Sequence, residues 1–218
     1  MNINEYIDHT YLKPVGTKSE IDILLEEAKH YHFKSVCVQP CFVEYCKQKL
    51  EGTAVLVCTV IGFPLGQNTV QTKVFETLEA IQNGADEIDM VINIGNVKTG
   101  NYQGLIDEVS QVQKACDPHT LKVIIETCYL TEEEIIKTSQ AVGRTKAQFI
   151  KTSTGFGPAG ATAEHVKLMK DNGLGKEVKA AGGVRTALDF DKMVKAGATR
   201  IGTSNGVSLM KGEQGSGY

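Results

Sequence analysis

Short apolar runs alternate with longer amphipathic stretches along most of the chain. The runs are rich in β-branched residues and end in small or polar residues, as buried strands do. They lie at 6–10, 35–39, 55–63, 87–94, 121–127, 149–154, 178–182 and 199–203. Stretches with apolar residues at helical spacing lie at 18–31, 68–82, 101–115, 131–142, 162–172 and 186–196. The pattern therefore predicts a regular alternation of strands and helices.

Hydroxyl residues precede several of the helical stretches. Thr17, Thr131 and Thr162 stand where an N-cap side chain accepts a hydrogen bond from the first helical turn. Glu20 and Glu134 follow two of these threonines by three residues, which is the spacing of a capping box. These positions predict where three of the helices begin.

Strands that alternate with helices imply parallel βαβ units. About eight such units in 218 residues predict a single-domain (β/α)8 TIM barrel over residues 1–211, followed by a flexible C-terminal tail at 212–218. A doubly wound open sheet is the alternative, but no GxGxxG sequence follows the first strand. In a barrel, we expect the chemistry at the C-terminal ends of the strands.

Composition and charge narrow the range of partners. The formal net charge of −3 argues against nucleic acid and anionic membranes as partners. Neither a signal peptide nor an apolar run of ~18 residues is evident, so no membrane segment is expected. The six cysteines form no CxxC pair, and several lie inside apolar runs. A reduced, cytoplasmic protein accounts for them most simply.

Lysine occupies an unusual place in the sequence FIKTSTGFG, 149–157, where Lys151 ends an apolar strand beside a glycine-rich turn. Burial disfavours an ammonium ion, and a second cation disfavours it further. A lysine made partly neutral in this way attacks carbonyl groups and forms a Schiff base. Lys179, on the adjacent strand, would be the second cation. A single strand lysine more often forms a salt bridge, but two on neighbouring strands favour a function.

Carboxylates also occur within or at the ends of predicted strands, at Asp8, Asp89 and Glu126. Asp89 stands between Ile88 and Met90, so its buried carboxylate needs a partner. Asp89 could transfer protons. A purely structural pair with a lysine is the alternative, and for Glu126 a structural role is favoured.

Glycine-rich turns follow each of the last three predicted strands, at 154–160, 181–186 and 201–206. Loops in these places of a barrel often bind phosphate through backbone N–H groups. Arg185 and Ser204 could add a charge and a hydroxyl group. The histidines show no metal-ligand spacing, so no metal site is expected.

Several segments resemble the 2-deoxyribose-5-phosphate aldolases over nearly the whole chain. They are IDHTYL (7–12), ADEIDMVINIG (85–95), LKVIIET (121–127), FIKTSTGF (149–156), AAGGVRT (180–186) and RIGTSNG (200–206). The resemblance implies a class I aldolase of deoxyribonucleotide catabolism on a (β/α)8 barrel, with neither metal nor organic cofactor. Its reaction is the reversible cleavage of 2-deoxy-D-ribose 5-phosphate to D-glyceraldehyde 3-phosphate and acetaldehyde.

The resemblance also implies roles for individual residues. Lys151 matches the Schiff-base lysine, Lys179 the lysine that perturbs it, and Asp89 the aspartate of a proton relay. A C-terminal tyrosine, here Tyr218, is expected to help move the proton on the enamine carbon. Substrate-binding positions match Asp8, Thr10, Lys122, Glu126 and Thr152, and phosphate-binding positions match Gly155, Gly182, Gly183, Arg185, Gly202, Ser204 and Asn205. Phe156 departs from the family, because some members have a lysine there.

Two alternatives stay open at this point. One is another Schiff-base barrel enzyme, such as a transaldolase or a keto-acid aldolase. The other is a non-catalytic barrel that binds sugar phosphates. In the favoured interpretation the partners are small phosphorylated sugars and aldehydes, and a homodimer is compatible with the sequence.

Overall fold

Eight parallel strands close into one barrel in the computed structural model, which describes residues 2–215. Each strand pairs with the next in chain order, and the last strand pairs with the first. The strands are β1 Ile7–Tyr11, β2 Ser35–Val38, β3 Leu56–Ile61, β4 Glu87–Val91, β5 Thr120–Ile124, β6 Phe149–Lys151, β7 Glu177–Ala181 and β8 Arg200–Thr203. This single-domain (β/α)8 barrel confirms the predicted fold, and all eight predicted strands are present.

Helices connect the strands on the outside of the barrel. They are α1 Lys18–Tyr31, α2 Val43–Lys49, α3 Val70–Gln82, α4 Ile94–Lys98, α5 Tyr102–Cys116, α6 Glu132–Gly143, α7 Ala163–Asn172, α8 Ala187–Lys195 and α9 Gly206–Lys211. Thr17 with Glu20 and Thr131 with Glu134 form the two predicted capping boxes. The side chain of Thr162 caps α7 as predicted, by accepting from the N–H of His165.

The interior of the barrel is divided into an apolar and a charged part. Outward-facing strand residues such as Leu121 and Val123 join the large core between barrel and helices. A separate inner cluster contains Leu12, Cys37, Cys58 and Val60, with Phe63 packed against it. These residues belong to or adjoin β1, β2 and β3. The rest of the interior is lined mainly by charged side chains.

The tail continues beyond α9. Gly212 ends that helix in a left-handed conformation, and the N–H of Gly215 donates to the carbonyl of Arg185 at 3.0 Å. Tyr218 lies outside the described residues. Every helix found within 2–215 is too short or too polar to cross a membrane.

Candidate active site

Asp89 is the centre of a buried ion-pair cluster inside the barrel. Its Oδ2 accepts from the Nζ atoms of both Lys151 and Lys179, each at 2.7 Å. Its Oδ1 accepts from Nζ of Lys122 at 2.8 Å. The strand register explains the assembly, because Asp89 pairs with Lys122 across β4 and β5 while Lys151 pairs with Lys179 across β6 and β7.

The ionisation of the cluster follows from its contacts. Burial raises the pKa of the Asp89 carboxyl, but Lys122, Lys151 and Lys179 outweigh this and hold the pKa well below its usual range. Burial lowers the pKa of the Lys122 and Lys179 ammonium groups, but the surrounding carboxylates reverse this and raise the pKa of each above its ordinary value. Lys122 and Lys179 are therefore cations, and Asp89 is an anion, in the site without substrate.

Lys151 differs from the other two lysines in its access to a cleft. The cleft opens at the C-terminal ends of the strands, and Lys122 and Lys179 do not line it. Its lining residues are Thr10, Leu12, Lys151, Thr154, Gly155, Ala181, Gly182, Gly183, Val184, Gly202, Thr203 and Ser204. An aldehyde that enters the cleft can therefore reach the amine of Lys151 and neither of the others.

A second layer of charge lies beneath the lysines, and two of its members, Glu87 and Arg200, were not predicted as site residues. Asp8 Oδ2 lies 2.5 Å from Nζ of Lys179, and its Oδ1 accepts from Arg200 Nε at 2.6 Å. Arg200 Nη2 donates to Glu87, which also pairs with Lys122 at 2.7 Å. Asp8 therefore lies below the floor of the cleft. Glu87 stands two residues before Asp89, so the strand period could have placed both on the same face.

Glycine lets the last three loops meet around the cleft. Gly155, Gly182 and Gly183 have φ angles of +88°, +83° and +81°, in the left-handed region that favours glycine. A Cβ on Gly160 would lie 2.2 Å from the carbonyl oxygen of Gly182, so the first two loops pack backbone against backbone. Gly202 leaves room for Lys179, whose Cε would lie 3.1 Å from a Cβ there.

One unsatisfied polar atom at this end of the cleft fits a ligand. The buried Oγ of Ser204 has no hydrogen-bond partner within the described protein. Thr154, next to Gly155, and Thr10 also line the cleft. The predicted glycines and the predicted serine hydroxyl therefore lie together at the cleft.

Four further predicted site residues belong neither to the lining of the cleft nor to the ion-pair cluster. Thr152 is buried, and its hydroxyl donates to the carbonyl of Ala181 on the next strand at 3.1 Å. Glu126 accepts from the N–H and the hydroxyl of Thr154, so it holds the loop after β6. The other two are the exposed Arg185 and Asn205, which is buried directly before α9.

Phe156 and Phe63 form an apolar rim at the mouth of the barrel. Phe156 is 44% exposed, and its ring meets that of Phe63 edge-on, with the centroids 5.3 Å apart. Phe63 also packs against the inner apolar cluster. The loops after β3 and β6 are thus joined at the mouth of the barrel by two aromatic rings.

Two cysteines also approach Asp89. Cys37 and Cys58 are in register on β2 and β3, and their sulfurs with an Asp89 oxygen all lie within 4.8 Å of one another. Cysteine spacing did not indicate this cluster, because it depends on strand register. Burial raises the pKa of the Cys58 thiol well above its usual value, and Cys58 Sγ donates to Asp89 Oδ1 at 3.2 Å.

Comparison with known proteins gives one consistent result. The model of the DeoC/LacD family of aldolases matches residues 3–211. Deoxyribose-phosphate aldolase 1 of Staphylococcus aureus is 58% identical over 213 residues, 97% of either chain. A crystal structure of a putative deoxyribose-phosphate aldolase from Coccidioides immitis has a TM-score of 0.94 at 42% identity, covering 96% of this chain and 85% of that one. The tetrameric deoxyribose phosphate aldolase of Aeropyrum pernix has a TM-score of 0.86 at 30% identity, covering 96% and 89%.

Proposed function

The chain belongs to the DeoC/LacD family of aldolases, and from the cleft we infer that Lys151 is the amine that forms its Schiff base. The protein is a deoxyribose-phosphate aldolase, a lyase that reversibly cleaves 2-deoxy-D-ribose 5-phosphate to D-glyceraldehyde 3-phosphate and acetaldehyde. One observation supports the assignment of Lys151 above the others. Among the three lysines held by Asp89, Lys151 alone lines the cleft.

The first step requires a neutral amine. Lys151 Nζ attacks C1 of the open-chain sugar, and loss of water gives an iminium ion. The ammonium of Lys179 touches the same oxygen of Asp89 as Lys151 does. Two cations at one carboxylate oxygen repel each other.

Carbon–carbon cleavage follows from the iminium acting as an electron sink. The C2–C3 bond breaks, its electron pair forms the enamine, and the C3 hydroxyl loses its proton as C3 becomes the aldehyde of the leaving product. Asp89 with a water molecule is proposed to take this proton. As the C2–C3 bond breaks, its electron pair neutralises the iminium, so the positive charge beside Asp89 falls as the proton is accepted.

Protonation of the enamine carbon and hydrolysis of the imine then release acetaldehyde. Tyr218 is proposed to assist this proton transfer. The hydrogen bond from Gly215 to Arg185 supports the proposal, because it holds the chain beside the glycine loops only three residues before Tyr218.

The phosphate is proposed to bind where the glycine loops converge. Backbone N–H groups around Gly155, Gly182 and Gly183, with the Ser204 hydroxyl, supply donors to an anion. Anchoring the remote phosphate positions C1 at Lys151, so binding energy is used at the reacting carbon. Arg185 and Asn205 are proposed to support these loops from outside the cleft.

Family membership decides between the activities left open by the sequence. Transaldolases, keto-acid aldolases and non-catalytic barrels are all disfavoured by 58% identity to a deoxyribose-phosphate aldolase along 97% of the chain.

We further propose a cytoplasmic location, since six free thiols suit a reducing compartment. We propose a homodimer as well. Phe75 and Leu78, one turn apart on α3, are 65% and 52% exposed and supply apolar surface for it.

The function is tested by following both products from 2-deoxy-D-ribose 5-phosphate. We expect equal amounts of acetaldehyde and glyceraldehyde 3-phosphate from the wild type and none from a folded Lys151→Met variant. Lys167→Met is a matched control, because Lys167 lies on the outer surface of α7 and pairs with the exposed Asp171. Absence of cleavage by the wild type, or unchanged cleavage by Lys151→Met, would refute the proposal.

A further inference from the structure

Arg200 enters the barrel from the base of β8 and lies in the layer below the catalytic lysines. It is 5% exposed, and its guanidinium carbon lies 5.7 Å from the centre of the Phe149 ring. Its Nε donates to Asp8 at 2.6 Å, and its Nη2 donates to Glu87. Since a guanidinium does not lose its proton in proteins, Arg200 contributes a permanent positive charge to the interior.

Charged and titratable groups reach the interior from all eight strands. They are Asp8 (β1), Cys37 (β2), Cys58 (β3), Glu87 and Asp89 (β4), Lys122 (β5), Lys151 (β6), Lys179 (β7) and Arg200 (β8), with Glu126 following β5. Glu126 accepts a hydrogen bond from the N–H of Thr154 in the loop above. The ion pairs themselves connect Asp8, Glu87 and Asp89 with Lys122, Lys151, Lys179 and Arg200.

The charges in this set balance only when Lys151 is neutral. Lys122, Lys179 and Arg200 supply three cations, and Asp8, Glu87 and Asp89 supply three carboxylates. A protonated Lys151 adds a fourth cation without a fourth carboxylate. A buried cluster with excess charge is costly, because little solvent screens it. Loss of a proton from Lys151 removes the excess.

We propose that Arg200 and Glu87 are positioning residues that set the pH at which Lys151 reacts, through the charge balance of the buried cluster. Neither residue lines the cleft. Arg200 donates hydrogen bonds to Asp8 Oδ1 and to Glu87, so these carboxylates neutralise less of the positive charge of the lysines above them. The inference rests on the proposed role of Lys151 as the Schiff-base residue.

Loss of the charge of Arg200 and loss of the charge of Glu87 should shift the pH of imine formation in opposite directions. Without the charge of Arg200, the cluster is neutral when Lys151 is protonated, so Lys151 holds its proton more tightly. Imine formation then requires a higher pH. Without the charge of Glu87, the same cluster carries two excess positive charges, so the proton leaves more easily. Imine formation then begins at a lower pH.

The test is the pH profile of imine trapping at Lys151 with acetaldehyde and borohydride. We expect Arg200→Met to move the midpoint of the profile up by about one pH unit and Glu87→Gln to move it down by a similar amount. Arg200→Lys keeps the charge and should restore the wild-type midpoint, even if its altered geometry lowers the maximal rate. Circular dichroism and thermal melting establish that each variant is folded.

A purely structural role predicts a different result. Loss of packing or rigidity would lower the rate in all three variants without separating their midpoints. Unmoved midpoints, or midpoints that move in the same direction for Arg200→Met and Glu87→Gln, would overturn the inference. Should Arg200→Met not fold, Arg200→Gln and the nearly isosteric Glu87→Gln carry the same test. Absence of any label on Lys151 in the wild type would instead refute the proposed function.

Discussion

Lys151 and Lys179 share one oxygen atom, since the Nζ atom of each lies 2.7 Å from Oδ2 of Asp89. The two nitrogens are therefore no more than twice that distance apart. One of them is at the cleft and the other is fully buried. This arrangement gives a single carboxylate two neighbouring lysines with different tasks.

Replacing Lys179 tests its electrostatic role. Burial disfavours the Lys179 ammonium, but Asp8 and Asp89 raise its pKa above the ordinary value, so it stays charged as pH rises through the working range. Lys179→Met removes this charge and should raise the pH needed for imine trapping at Lys151, with turnover about 100-fold lower. The same profile in Lys179→Met and wild type would contradict the role. Lys167→Met, on the exposed face of α7, should behave as wild type.

Asp89→Asn tests the proton relay. The amide keeps the shape of the side chain but removes the charge that holds three buried lysines, so we expect a loss of about 3–5 kcal/mol in stability. Imine should still form slowly, whereas exchange of acetaldehyde methyl protons with D₂O, followed by NMR, should be lost. Exchange at the wild-type rate would rule the relay out. Asp191→Asn, on the exposed face of α8, is the control.

Much of the fold could be predicted from local pattern. Helix α1 begins and ends where expected, because Thr17 and Glu20 form a capping box and four buried apolar residues follow at helical spacing. Strand β6 ends at Lys151, earlier than the predicted 154. Residues 152–154 belong to the following loop, where the N–H of Thr154 donates to Glu126. The seven-residue α2 was missed, since it is short and has no side-chain cap.

The candidate site was only partly predictable. Lys151 and Lys179 lie on neighbouring strands, so a parallel barrel brings them together without further information. The pairing of Arg200 with Glu87 joins residues 113 positions apart, from β8 and β4. It depends on closure of the barrel and on the reach of a long side chain, neither of which is encoded in local spacing. The thiols of Cys37 and Cys58 meet because β2 and β3 place them in register, which their spacing in the sequence does not show.

Gly160→Ala tests the contact between the first two glycine loops. The new Cβ would meet the carbonyl of Gly182 at 2.2 Å, so the loops must separate. We expect KM for the phosphorylated substrate to rise about tenfold, because the phosphate donors move apart. Gly175→Ala is the control, because Gly175 has φ +86° and a Cβ added there would have no other atom within 4 Å. This variant should lose stability but keep the wild-type KM. Equal KM values for Gly160→Ala and wild type would argue against these loops as the phosphate site.

Phe156→Lys tests the departure from the family at the rim. Phe156 is 44% exposed and follows Gly155, so a lysine there would place a solvated cation beside the proposed phosphate site. An exposed pair of this kind contributes little, so KM for 2-deoxy-D-ribose 5-phosphate should fall only about 2- to 5-fold. KM for unphosphorylated 2-deoxy-D-ribose should not change. A similar fall for both sugars would show that the effect comes from loss of the Phe63 contact.

Borohydride reduction in the presence of acetaldehyde, followed by peptide mass mapping, tests whether Lys151 is the covalent residue. Reduction of the imine leaves one ethyl group on the reacting nitrogen. We predict that the ethyl group is found on Lys151 and that Lys122 and Lys179 stay unmodified, since neither lines the cleft. An ethyl group on Lys122 or Lys179 with none on Lys151, or no ethylated lysine in active enzyme, would contradict the account.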